Sequence, residues 1–102
     1  MPSMQTDVKS TKPLTSTGAF KDQGNNDVSR ARLKGIYAVC SAAVGSVVIT
    51  DGNGGNVLFT LNTPTAANAG YIYMIMPGEG ILAETGLYGT VTNTTSTVLI
   101  YG

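Results

Sequence analysis

From residue 29 onward, apolar and polar residues alternate over short runs, and no stretch repeats its apolar positions every 3.6 residues. Thr and Val are abundant, and the chain's 13 glycines punctuate the runs at short intervals. That is the composition of strands separated by turns. Seven strands are predicted, over 29–42, 46–50, 57–61, 71–76, 80–84, 87–92 and 97–101. In the first of these, Ala31, Leu33, Tyr37 and Val39 share one face. Arg30, Arg32 and Lys34 share the other, followed by Ile36, Ala38 and Cys40. On this alternation the strand begins half-exposed and basic and ends covered on both faces, so a second layer lies over its C-terminal half. The run 71–76 is apolar at every position, with Tyr71, Tyr73 and Ile75 on one side and Ile72, Met74 and Met76 on the other. Both of its faces need cover, from two sheets or from a partner chain.

The connections fit an antiparallel arrangement. Asp51-Gly52-Asn53-Gly54-Gly55-Asn56 reads as a hairpin loop, because Gly and Asn tolerate positive φ. Pro64 to Gly70 is a longer polar crossing, Pro77-Gly78-Glu79-Gly80 a tight corner, and Thr92 to Ser96 the final turn. Seven short strands at this spacing imply an all-β, antiparallel β-sandwich or small barrel. An eighth strand from the N-terminal segment would complete a jelly-roll-like count.

Residues 1–28 follow no apolar period and are rich in Thr, Ser, Gly and Asn. Such a segment buries too little apolar surface to offset its own ordering entropy. It reads either as a disordered tail or as an extended N-terminal arm laid over a neighbouring subunit. The expected organisation is therefore an arm, 1–28, and a β-sandwich domain, 29–102. Within the arm, 14–20 can pair as a short edge strand anchored by Leu14 and Phe20.

Charge sharpens this picture. The first 34 residues hold all six basic residues and three acids, a surplus of three positive charges. Residues 35–102 hold only Asp51, Glu79 and Glu84. A soluble surface is ordinarily about a quarter charged or more, and charge on edge strands discourages self-association. Much of 35–102 is thus expected to be buried against something other than itself. Arg30, Arg32 and Lys34 are candidate interface residues, with Glu79 and Glu84 as their acidic partners across a subunit boundary.

The residue inventory excludes more chemistry than it names. Histidine is absent and there is one cysteine. This rules out Ser-His-Asp and Cys-His machinery, His-ligated metal, an internal disulfide and Cys-based clusters. Zero net charge argues against direct nucleic-acid binding. No run of 18 apolar residues spans a membrane, and no leader-like apolar segment follows Met1. The Asp51–Asn56 loop offers one carboxylate where calcium needs six to eight oxygens, so it reads as a turn. Glu79 and Glu84 read as surface acids rather than a glycosidase pair. Cys40 reads as a small buried hydrophobe, and the Asn93-Thr94-Thr95 sequon as a polar turn. No catalytic residue, metal or cofactor is expected.

Arg32-Leu33-Lys34-Gly35-Ile36-Tyr37, the Asp51-Gly52 turn before Val57-Leu58-Phe59-Thr60-Leu61, the corner Pro77-Gly78-Glu79-Gly80-Ile81-Leu82-Ala83-Glu84-Thr85-Gly86-Leu87-Tyr88 and the closing Val98-Leu99-Ile100-Tyr101 together carry a resemblance. In these the chain resembles small β-sandwich structural virion proteins of tailed bacteriophages, marine podovirus-like phages in particular. The resemblance implies a non-enzymatic component of a capsid or tail, located in the virion. Its implied partners are copies of itself and other virion proteins (capsid, portal or tail). The competing expectation is a carbohydrate-binding module using exposed Tyr71, Tyr73 and Tyr88 as a sugar platform.

Overall fold

The computed structural model describes residues 8–102. Among these residues nine strands follow one another: β1 (Lys9–Ser10), β2 (Gly18–Ala19), β3 (Ala31–Cys40), β4 (Gly45–Asp51), β5 (Val57–Thr63), β6 (Tyr71–Ile75), β7 (Ile81–Ala83), β8 (Leu87–Thr92) and β9 (Thr94–Tyr101). There is no helix among the described residues. The strands form two antiparallel sheets in two layers. The front sheet runs β1-β9-β3-β6, with β7 also on β3, and the back sheet runs β2-β8-β4-β5. Both β6 and β7 lie along the same side of β3, β6 beside Gly35–Val39 and β7 beside Ala31–Leu33. They are one strand broken by the 76–80 corner. Counted so, the first strand pairs with the last, the second with the next to last, the third with the sixth and the fourth with the fifth. All seven strands expected from 29 onward are present, with β9 starting three residues early at Thr94.

Leu33, Ile36, Ala38 and Leu99 of the front sheet meet Val47, Ile49, Leu61 and Leu87 of the back sheet in one buried cluster. Each large aliphatic side chain so buried contributes roughly 1.5–3 kcal/mol. The alternation of β3 differs from the sequence expectation. Leu33 stands opposite Tyr101, yet Gly35 stands opposite Ile100, so Lys34 is one residue too many on β3. This β-bulge reverses the strand's parity. Before it Ala31 and Leu33 point inward; after it Ile36, Ala38 and Cys40 do. Tyr37 and Val39 are turned to the outside. Gly35 fits the irregularity because Ile100 lies across it: a Cβ there would stand 3.4 Å from Ile100 Cδ1 and 3.2 Å from the Met74 carbonyl oxygen.

Residues 1–7 of the expected arm lie outside the described residues. Residues 8–28 are laid across both sheets of their own chain. Ser10 pairs with Ile100, and Thr11 N–H donates to Leu99 O at 2.9 Å. Leu14 and Thr97 exchange two backbone bonds, and Ala19 pairs with Tyr88. Phe20 is fully buried and, with Val28, belongs to the same cluster as Ile36. The slot for Phe20 is opened by Gly89, where an added Cβ would stand 2.6 Å from Phe20 Cε2 and 2.9 Å from Leu14 Cδ2. Residues 21–27 then fold back on themselves. Asp22 Oδ1 accepts from Asn26 N–H at 2.9 Å, and Lys21 pairs with Asp27. The expected boundary between 28 and 29 therefore does not divide the buried cluster.

This packing has a measurable consequence. Phe20→Ala should destabilise the fold by about 3–5 kcal/mol, the cost of emptying an aromatic core site, and Gly89→Val should also lower stability by closing the slot. Urea denaturation followed by circular dichroism measures both. An unchanged midpoint in Phe20→Ala would mean that the segment is a detachable arm.

Candidate functional site

The two outer faces differ in chemistry. On the back sheet the outward positions of the central strands are Ser46, Val48 and Thr50 on β4 and Tyr88, Thr90 and Thr92 on β8, with Thr60 and Asn62 on β5. Hydroxyl and amide groups dominate there. On the front sheet the outward positions beyond the bulge are Tyr37 and Val39 on β3, Tyr71, Tyr73 and Ile75 on β6, and Val98 and Ile100 on β9. Tyr71 is 60% exposed, Tyr73 53%, Ile75 60% and Tyr37 37%. Register places Tyr37 between Tyr73 and Val98. The rings of Tyr37 and Tyr71 tilt at 37° with centroids 5.5 Å apart, within the range of an attractive aromatic pair. No charged residue occupies these outward positions. Contiguous exposed apolar surface of this kind marks an interaction site far more often than isolated apolar residues do.

Charge gathers at the other end of the same sheet. Arg30, Arg32 and Lys34 line a cleft of about 290 Å³ with Glu79, Leu82 and Gly102. Three of the chain's six basic residues are thus brought together, and the acid beside them is their own chain's Glu79. Glu84 is exposed at the far end of β7 and does not line the cleft. The two glutamates bracket β7 instead of facing one another.

The other expected site residues sort as follows. Phe20 is core and out of a partner's reach, and Leu14 is half-buried against the same cluster. Tyr71 and Tyr73 share a face, while Tyr88 stands on the opposite sheet beside Thr50 and Ala19. The three tyrosines named for a sugar platform therefore do not meet. Tyr37 takes the third place, and the strand alternation missed it because the bulge reverses parity. The available signal was Gly35 itself, since glycine inside a strand often marks a bulge.

The Asp51–Asn56 loop is a turn with a specific anchor. Asp51 Oδ1 accepts from Thr85 N–H at 2.7 Å and from Gly86 N–H at 3.3 Å, tying the β4–β5 loop to the β7–β8 turn. The Thr85 N–H foremost holds this carboxyl below its ordinary value of 3.8. Both Gly52 and Gly54 have positive φ, 78° and 79°. Among the described residues no group of three His, Cys, Asp or Glu side chains is placed to hold a metal ion. Cys40 is buried as a free thiol. Asn93 Nδ2 donates to Val44 O at 3.1 Å, and Ser41 Oγ donates to Asn93 O at 2.6 Å, so the sequon asparagine pins the final turn to the β3–β4 connection. No family model, curated protein or solved structure matches the chain.

Asp51 carries a pH signature. A carboxyl whose pKa is lowered by folding stabilises the fold fully above its unfolded value, and that contribution disappears as pH falls through the folded value. Asp51→Asn should therefore melt below wild type near pH 7, about where the contribution is complete, and the gap should narrow below about pH 4. Thermal melts across that range test it. A gap constant with pH would mean that the carboxylate charge is idle.

Proposed function

We propose that this chain is a non-enzymatic structural virion component, an antiparallel β-sandwich of jelly-roll type that docks on its neighbours through the outer face of the front sheet. The nested strand pairing supports the jelly-roll reading, an eight-stranded architecture used by viral capsid and lectin domains alike. The observation that carries the function is the uncharged outer face of β3, β6 and β9, with Tyr71, Tyr73 and Ile75 more than half exposed. Burial of that face supplies affinity at roughly 25 cal/mol per Å², less the cost of association. The basic cleft at the end of the same sheet fixes register, since exposed charges direct encounter more than they add affinity. The partners of this reading are further copies of the chain and other capsid or tail proteins.

A carbohydrate platform is the second reading, favoured by the exposed rings of Tyr71 and Tyr73 flanking Tyr37. It has less support, because a sugar site needs several convergent polar groups beside its aromatic ones. This face offers little beyond the tyrosine hydroxyls and Ser96.

Sedimentation of the full chain separates the two. The structural reading expects a concentration-dependent rise in mass that Tyr71→Asp combined with Ile75→Asp removes while the β circular dichroism of the folded chain is kept, since both side chains are exposed. It also expects the chain's peptides in many copies in purified virions that carry the encoding gene. A monomer at every concentration that binds an oligosaccharide saturably through Tyr73 would replace it with the sugar reading.

A further inference from the structure

Strand β6 ends the front sheet, and among the described residues no strand pairs with its outer edge. Cys40 N–H donates to Gly70 O at 3.0 Å, and Met76 N–H donates to Lys34 O at 2.8 Å, so these bonds bracket the strand. In an antiparallel ladder the bonded pairs recur at every second residue. Ile72 and Met74 therefore direct their N–H and C=O groups at β3. Tyr71, Tyr73 and Ile75 direct theirs at the open edge. These are the same three residues whose side chains stand exposed on the outer face.

An edge of this kind is normally blunted by a charge, a proline or a bulge. Residues 71–75 contain neither charge nor proline, and their pairing with β3 runs without a register shift. The matching edge of the back sheet is different. There β5 carries an extra residue opposite Ile49–Thr50 and turns Thr60 and Asn62 outward. The unguarded edge is also symmetric. Its outward-directed residues are 71, 73 and 75, centred on Tyr73. An antiparallel copy of the same segment would set Tyr73 against Tyr73 and Tyr71 against Ile75. Each facing pair would exchange two N–H···O bonds, with no like charges opposed.

We propose that β6 is a docking strand and that its occupant is β6 of a second copy of this chain, joined about a two-fold axis at Tyr73. The two front sheets then become one continuous sheet, and their apolar outer faces merge. The inference rests on the assembly reading above and gives it a partner and a geometry.

A charge swap at the axis tests it. Tyr73→Lys and Tyr73→Glu, each alone, place like charges face to face and should sediment as monomers of 10.5 kDa. An equimolar mixture should sediment at twice that mass, because Lys then faces Glu. Amide exchange on the wild-type chain provides a measurement independent of any variant. The Tyr71, Tyr73 and Ile75 amides should gain protection as concentration rises, while those of Ile72 and Met74 stay protected throughout. Retention of the dimer by either single variant, a mixture that stays monomeric, or edge amides that exchange freely in the associated wild type overturns the β6 pairing. In those cases association through the outer face still stands. A wild-type chain that never associates overturns both.

Discussion

The outer face of the front sheet depends on a single extra residue in β3. Lys34 is the residue by which β3 exceeds β9 in their register, and the strand's alternation reverses around it. Ala31 and Leu33 enter the core from one parity, and Ile36, Ala38 and Cys40 from the other. Without the reversal, Tyr37 and Val39 would point into the space that Ile36 and Ala38 fill. With it, the core stays closed, and the outer face changes from basic at Arg30 and Arg32 to apolar at Tyr37 and beyond. One backbone irregularity thus sets both the packing of the interior and the division of the front sheet into a charged end and an apolar field.

The two sheets carry this asymmetry to the whole molecule. Thr60, Thr90 and Thr92 expose their side chains on the back sheet, and Thr50 Oγ1 donates to Gly52 O at 2.8 Å. The front sheet offers Tyr71, Tyr73 and Ile75 at a rim that has open backbone groups as well. The scarcity of charge beyond residue 34 falls hardest here. Asp51 is committed to the amides of Thr85 and Gly86, and Glu79 sits in the basic cleft. Neither guards the apolar face. A chain selected to remain solitary would be expected to place a lysine on so open an edge.

The strands were legible because their period is local. Alternation and glycine-rich turns locate β3 through β9 to within three residues at either end, and the two sides of β6 follow directly from its parity. What lay beyond the sequence depended on contacts far along the chain. Phe20 has no periodic neighbours, so nothing local reveals that Gly89, 69 positions later, leaves a slot for it. Tyr88 reads much like Tyr71 in sequence yet stands on the opposite sheet, since which strands share a layer is set by pairing. Tyr37 was hidden by the bulge. Glu79 was expected to seek a basic partner on another subunit, and the 76–80 corner brings it to the basic cluster of its own chain.

The central claim is that the outer face of the front sheet is covered when the protein is at work. Hydroxyl-radical footprinting of the native assembly against the dissociated chain, read residue by residue, tests it most directly. Tyr71 and Tyr73 should be shielded in the assembly and reactive in the dissociated chain, with Tyr88 on the opposite sheet equally reactive in both. Equal reactivity of Tyr71 and Tyr73 in the two states would contradict the account.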